Sequence, residues 1–336
     1  MRPASTHGVT ARVARCHGPH RKKELALVAT SGPGLVVDVA DLRKRYGRVQ
    51  ALAGLTMTVR AGEIFGFLGP NGAGKTTAVK LLLGLARPSG GRGAVLGRPL
   101  GDREARRHVG YLPELFRFQP WLRAREVLGL HADLIGMPSA GRSRAFDDVL
   151  GLVGLVERAD TAVSGFSKGM QQRLGIGVAL LGDPALVILD EPTSALDPIG
   201  RMDVRGILRA ARERGAAILL NSHLLTEVEQ VCDRLAIVDR GVVVAEGTLA
   251  DVLGARETRI TVEGLQPDGL AALQPFGTTR FDGRDLFVGN LVEERVPDLV
   301  TALVGMGVRV HEVASGRESL EARFLELVRA NRAVDA

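Results

Sequence analysis

The stretch Ile64-Phe65-Gly66-Phe67-Leu68-Gly69-Pro70-Asn71-Gly72-Ala73-Gly74-Lys75-Thr76 decides the fold. Ile64–Leu68 is a short apolar run that reads as a buried strand, and Thr76–Leu85 places apolar residues at helical spacing. Between them Gly69–Thr76 matches G-x-x-x-x-G-K-[ST], in the strand-then-helix context that this pattern requires. Its glycines permit a tight loop whose backbone N–H groups can surround phosphate oxygens. The helix that follows offers its positive N-terminal end to the same anion. Lys75 suits the β- and γ-phosphates of a nucleotide, and the Thr76 hydroxyl suits Mg²⁺.

A second strand carries the matching acids. Ala185–Leu189 is continuously apolar and ends in Asp190 and Glu191. A buried parallel strand delivers both carboxylates to its C-terminal edge, where open α/β sheets bind ligands. Asp190 suits Mg²⁺, directly or through water. Glu191, aimed at the γ-phosphate, suits a base or a water-orienting group.

Outward from these strands the chain alternates. Leu35–Val39, Leu55–Val59, Ala216–Leu220, Leu235–Val238 and Val242–Ala245 read as strands, with helical spacing over Arg201–Arg212 and Leu224–Val231. The order implies an α/β fold with a mainly parallel sheet. From Arg103 to about Asp183 the pattern is mostly helical, as in Ala124–Ile135 and Ser143–Val153, and reads as an inserted helical subdomain over about 115–183. After Arg256 the grammar changes to β-α-β-β-α-β: strands at Arg259–Val262, Thr278–Phe281, Leu286–Val288 and Val308–Val313, helices at Leu270–Leu273 and Val296–Val304. A last helix follows, with Ser315 and Glu318 spaced as a capping box and Leu320, Phe324, Leu327 and Val328 on one face. The expected division is a tail over 1–34, a nucleotide-binding domain over 35–255, and a small ferredoxin-like α+β domain over 256–336.

Six motifs in order give these residues a family likeness. Besides the phosphate loop and Asp190-Glu191, there is Tyr46 upstream, Phe166-Ser167-Lys168-Gly169-Met170-Gln171-Gln172-Arg173, Ser194-Ala195-Leu196-Asp197, and His223 after a strand. From about Leu35 to Leu253 the chain resembles the ATP-binding subunit of an ABC transporter, a P-loop NTPase fold. The resemblance implies nucleotide contacts from Tyr46, Gly69, Pro70, Asn71, Gly72, Ala73, Gly74, Lys75, Thr76, Thr77, Glu114, Ser167, Gly169 and Asp197. It implies catalytic roles for Glu191, His223 and Lys75, and Mg²⁺ near Thr76, Asp190 and Glu114. ATP on Lys75 of one subunit would be covered by Ser167 and Gly169 of a second, so a homodimer is expected, beside a permease on a separate chain. The segment Ser319–Phe324 resembles the tail of ABC-2-type subunits that serve drug and antibiotic efflux.

Two motifs depart from the common pattern. Glu114 stands where the family usually has Gln, and Lys168 and Met170 replace Gly and Gln in the signature loop. A carboxylate keeps an oxygen for Mg²⁺ but loses the amide donor and adds charge. Lys168 brings a positive charge toward the partner's γ-phosphate, and the two changes are expected to offset each other in part across the dimer. A double-mutant cycle showing no coupling would refute that.

Composition limits the alternatives. The 336 residues are 45% hydrophobic and 24% charged, a globular balance of about two domains. The longest stretch without a charge, Leu25–Val37, has thirteen residues and contains Ser31, Gly32, Pro33 and Gly34, too short and too broken to span a bilayer. No secretory signal is expected at the start, and Cys16 and Cys232 cannot form a disulfide framework. Residues 1–34 carry six Lys and Arg against Glu24, so most of the +6 net charge sits in that tail and +1 remains elsewhere. That balance does not suit a dedicated nucleic-acid binder, and no nucleic-acid partner is expected. The tail reads as solvated disorder or as a contact for anionic lipid; Cys16, His17 and His20 have no second ligand pair that would make them a zinc site. Phe116, Phe118 and Trp121 put three of the chain's thirteen aromatics within Leu115–Leu122, either as packing of the helical subdomain or as a docking anchor for the permease. The expected location is the cytoplasmic side of the cell membrane, as a peripheral subunit. A soluble ABC ATPase acting on ribosomes, nucleic acid or a non-transport membrane complex is the alternative.

Overall fold

A computed structural model describes residues 34–194, 196–253, 257–316 and 319–334. The N-terminal tail with Cys16, His17 and His20, together with Ala195 and Glu318, lies outside the described residues.

Strands β1 (Leu35–Tyr46) and β2 (Val49–Arg60) form a long antiparallel hairpin. Strand β3 (Ile64–Leu68) follows, then the glycine loop and helix α1 (Lys75–Leu82). Strands β4 (Gly90–Val95) and β5 (Arg98–Pro99) complete a sheet of order β2-β1-β4-β5. Helix α2 (Arg103–Arg107) leads into β6 (Val109–Leu112). Three helices come next: α3 (Ala124–Leu134), α4 (Arg142–Leu152) and α5 (Lys168–Leu180). The chain then alternates β7 (Leu186–Asp190), α6 (Pro198–Glu213), β8 (Ala217–Asn221), α7 (Leu225–Val231), β9 (Arg234–Asp239), β10 (Val242–Thr248) and α8 (Leu249–Leu253).

The second sheet has the order β10-β9-β3-β8-β7-β6 and is parallel except for β10. Its central strands β3, β7 and β8 are buried at every residue, which is why they read as unbroken apolar runs. Alternation along β3 sorts two cores: Ile64 and Leu68 face the helical subdomain and α6, while Phe65 and Phe67 face the antiparallel sheet and α1. Helix α6 buries Val204, Ile207, Leu208 and Ala211, one face at helical spacing, and is capped by Asp197, whose Oδ1 accepts from the Gly200 N–H at 2.8 Å.

Strand β6 departs from the mostly helical reading of Arg103–Asp183. Val109-Gly110-Tyr111-Leu112 is four residues long with a glycine inside, too short for alternation or helical periodicity to register. It pairs in parallel with β7 and forms the edge of the sheet.

Strands β11 (Glu257–Glu263), β12 (Thr278–Phe281), β13 (Asp285–Gly289) and β14 (Arg309–Gly316) build a third sheet, all antiparallel, in the order β12-β13-β11-β14. Helix α9 (Val296–Gly305) connects β13 to β14. The arrangement is the ferredoxin-like one, with its own core of Ile260, Val262, Leu273, Leu286, Val288, Leu299 and Leu303. The helix expected at Leu270–Leu273 is a 3₁₀ segment over Pro267–Phe276, in which Pro275 supplies no backbone N–H.

The last helix, α10 (Leu320–Val334), differs from expectation in two ways. Ser315 lies in β14, and Ser319 is the residue whose hydroxyl accepts from the Ala322 N–H, at 3.2 Å. The helix also leaves the small sheet's core: Leu320 and Val328 are buried in the nucleotide-domain core, and α10 packs on α7, α8, β9 and β10. Burial of these two side chains contributes about 2 kcal/mol each, enough to hold the helix there.

Candidate nucleotide site

Parallel strands bring their C-terminal ends to one edge, and the sequence placed chemistry at four of them. Gly69 follows β3, Glu114 lies two residues past the end of β6, Asp190 ends β7 with Glu191 next, and Asn221 ends β8 with Ser222 and His223 next. A cavity of about 430 Å³ opens there, lined by Gly69, Pro70, Asn71, Lys75, Thr76, Glu114, Asp190, Glu191, Asn221, Ser222, His223, Leu225 and Phe324. A wider depression of about 800 Å³ lies at the opposite sheet end, beside Ala185 and Ala216. Its Arg144, Asp148, Asp183 and Arg214 are all solvent-exposed, so it holds no desolvated polar group comparable to those of the smaller cavity.

The glycine loop packs so closely on neighbouring backbone that side chains at two of its glycines would collide with it. A β-carbon on Gly69 would stand 2.2 Å from the Val238 carbonyl oxygen, and one on Gly74 2.4 Å from that of Ala51. Gly74 also caps α1 at φ 103°, a conformation that favours glycine. No side chain caps this helix start, so the first N–H groups of α1 face the loop uncapped. Lys75 folds back over the loop, its Nζ donating to the carbonyls of Gly69 at 2.6 Å and Pro70 at 3.2 Å. Burial lowers the Lys75 pKa, and the carboxylates of Glu191, Asp190 and Glu114 act against that shift. The Gly241 N–H braces the loop by donating to the Ala73 carbonyl at 2.8 Å.

The acidic wall is buried. Desolvation raises the Asp190 carboxyl, offset by a hydrogen bond from Asn221 Nδ2, with Glu114 pushing it up and Lys75 pulling it down. Glu191 sits at φ 53°, in the left-handed region, and its N–H donates to the Asn221 carbonyl at 2.8 Å. Its carboxyl is likewise raised by burial, and His223, with Nδ1 2.7 Å from Oε2, draws it back. Two buried oxygens, Glu191 Oε2 and Asn221 Oδ1, lack a well-directed hydrogen bond. Burial followed by the Asp190 charge raises the Tyr111 hydroxyl in the same region.

The remaining residues singled out in the sequence lie elsewhere. Thr77 is in the first turn of α1, behind Thr76. Tyr46 ends β1, half-exposed, with Lys44 Nζ 4.7 Å from its ring centre. Ser167 caps α5 by accepting from the Met170 N–H at 3.2 Å, beside exposed Lys168 and partly exposed Gly169. Asp197 is exposed at the start of α6. None of Thr77, Tyr46, Ser167, Gly169 and Asp197 lines the cavity. Four lining residues escaped the sequence reading of the site: Asn221, Ser222, Leu225 and Phe324. Asn221 closes an apolar run in register with Asp190, a signal that could have found it; Phe324 comes from α10 and left no such signal.

A glycine loop with a buried lysine after one strand, and two buried carboxylates at the end of another strand of the same parallel sheet, define a P-loop nucleotide-binding domain. A family model described as "ABC transporter" matches residues 52–194. An uncharacterized ABC transporter ATP-binding protein of Nostoc sp. is 39% identical over 310 residues, covering 90% of this chain and 92% of the relative. A Nod factor export ATP-binding protein I of Cupriavidus pinatubonensis is 36% identical over 93% of this chain and 94% of its own. The bacitracin transport ATP-binding protein BcrA of Bacillus licheniformis is 41% identical over 63% of this chain and 69% of its own. Among solved structures, an ATP-binding subunit of an ABC transporter superposes with TM-score 0.59 at 35% identity, covering 65% of this chain and 91% of that one. The chain belongs to the ABC transporter ATP-binding family, whose members are ATPases. Among the described residues, no helix is long and apolar enough to cross a membrane.

Proposed function

We propose that this chain is the ATP-hydrolysing subunit of a membrane exporter, working as a homodimer on the cytoplasmic face beside a separate permease. The observation that carries the reading is the cavity in which Lys75 and Thr76 face Glu114, Asp190, Glu191 and His223. Its two full-length-scale relatives and BcrA support transport, and the printed roles of BcrA and the Nod factor protein, bacitracin transport and Nod factor export, favour efflux of a drug, antibiotic or lipid-like compound.

Phosphate oxygens would take the place of the loop carbonyls now held by Lys75, and the uncapped N–H groups of α1 would bind the same oxygens. Among the described residues no cluster of three or more His, Cys, Asp or Glu forms a metal cage. That donor set fits Mg²⁺, which keeps waters and phosphate oxygens and needs only one or two protein ligands, here Thr76 and Asp190, with Glu114 close by. When bound, Mg²⁺ would neutralise charge developing on the phosphates. Glu191, a cavity-lining carboxylate, would orient the attacking water and take its proton, and His223, with Nδ1 2.7 Å from Oε2, would hold that carboxylate in place. Ser167 and Asp197, exposed at the starts of α5 and α6, and partly exposed Gly169 in the first turn of α5 lie outside the cavity, the placement expected of groups that serve the site of a second copy.

Affinity purification of Glu191→Gln from native membranes, with and without Mg-ATP, tests the assignment. A multi-span protein enriched with ATP supports it and supplies the permease for cargo assays. Recovery of ribosomes, nucleic acid or no membrane protein would replace it with a soluble ABC ATPase.

A further inference from the structure

The cavity is lined almost entirely by polar groups and backbone; Pro70, Leu225 and Phe324 are its apolar side chains. Phe324 is the only one of the lining residues that comes from beyond the ferredoxin-like sheet, about a hundred residues after His223. Leu225 opens α7, two residues after His223, and α10 packs along α7, so Phe324 reaches the cavity from a helix seated on the one that follows the histidine.

Helix α10 is anchored independently of the cavity. The Leu320 N–H donates to Oε1 of Glu229, and Arg323 Nε donates to the Val252 carbonyl at 3.1 Å. Near its end, Asn331 Nδ2 donates to Oδ2 of the buried Asp239 at 3.0 Å, and Arg332 stands 3.5 Å from the other oxygen. Asp239 ends β9, two residues before the Gly241 N–H that braces the phosphate loop. One helix thus holds both the histidine wall and the strand end beside the loop.

We propose that Phe324 is a positioning residue for hydrolysis: its ring, fixed by α10, backs the His223–Leu225 segment and keeps His223 against Glu191, while nucleotide binding stays with the opposite wall. The inference rests on the reading of this cavity as the ATP site. The phosphate-binding groups, Lys75 and the start of α1, have bracing that does not involve the ring: Lys75 Nζ donates to the Gly69 carbonyl and the Gly241 N–H to that of Ala73. The His223 side chain is more than half exposed; its segment is held by the Glu191 contact and by the Leu224 N–H donating to Ser222 Oγ at 3.1 Å, and Leu225 and Phe324 are the apolar side chains that line the cavity with it on this side of the chain. Misplacement of a catalytic group by an ångström lowers the chemical step far more than it lowers ground-state binding.

The test uses the full chain as wild type, Phe324→Ala and Phe324→Met, with ATP affinity measured by calorimetry and turnover by phosphate release. Phe324→Ala should lower kcat about tenfold or more and Phe324→Met by less, with ATP affinity kept within about threefold in both. Wild-type kcat in Phe324→Ala overturns the proposal, and so does affinity that falls in step with kcat, which would make the ring merely structural. Should Phe324→Ala fail to fold, wild-type kcat in Phe324→Met overturns it. A wild-type chain that binds no ATP, or binds it equally after Lys75→Ala, overturns the site reading and this inference together.

Discussion

His223 Nδ1 lies 2.7 Å from Oε2 of Glu191, bridging the ends of β8 and β7 across the cavity. Burial raises the Glu191 carboxyl, and this contact is the main influence against it. Replacing His223 by Ala removes the opposing influence, so the carboxyl rises further and is protonated over a wider pH range. The acidic limb of the kcat profile should move to higher pH, and turnover at neutral pH should fall at least about tenfold. Steady-state ATPase assays across pH decide it: an unmoved limb means that this contact does not govern Glu191 ionisation.

The same carboxyl has a consequence for stability. A folded-state pKa raised above the unfolded value means that the fold favours the protonated form. That favour is fully present below the ordinary carboxylate range and is lost as pH rises through the folded value, leaving a buried charge at neutral pH. Glu191→Gln keeps the shape and removes the charge. Its melting temperature should exceed that of the wild type at neutral pH, and the difference should close in acid. Parallel thermal melts from acid to neutral pH measure this, and equal melting temperatures throughout would contradict it.

Asn221 is the support beneath Asp190. Its amide donates to Asp190 Oδ1 from the facing register position, and both residues are buried. Without that donor the Asp190 carboxyl, already raised by burial and by Glu114, is a poorer ligand at neutral pH. Asn221→Ala should raise the Mg²⁺ concentration for half-maximal ATPase by about tenfold or more, the usual cost of removing a group that orients a metal ligand. A Mg²⁺ titration at saturating ATP reads the effect directly, and an unchanged midpoint would remove Asn221 from the site.

These groups divide between what the sequence makes legible and what it does not. Ile64–Leu68 and Leu186–Leu189 are plain in the sequence because a strand covered on both faces must be apolar throughout. Their polar terminators, Gly69 and Asp190, are legible for the same reason. Strand β6 is not, because its four residues include Gly110 and it is recognised only by its pairing with β7. The hairpin β1–β2 runs well beyond Leu35–Val39 and Leu55–Val59, since Arg43, Lys44 and Arg45 obscure its apolar alternation. The amphipathic face of α10 shows that the helix must pack, but nothing local says against what. Its docking on α7, and with it Phe324 in the cavity, is a tertiary fact.

The segment after Glu114 resolves into two kinds of aromatic. Phe116 and Phe118 pack edge to face, 5.3 Å apart, against the core of the helical subdomain. Trp121 is 72% exposed, and Leu115, the residue after cavity-lining Glu114, is 88% exposed. Large exposed apolar side chains of this kind are common anchors at protein interfaces. Because the inner pair carries the packing, Trp121→Ala should leave the fold and the ATPase of the isolated chain unchanged. If this surface docks the permease, the variant should recover markedly less of it when purified from native membranes in the Glu191→Gln background, by about tenfold for a central anchor. Undiminished recovery would move the joint to another surface, and a lowered melting temperature would instead return Trp121 to the core.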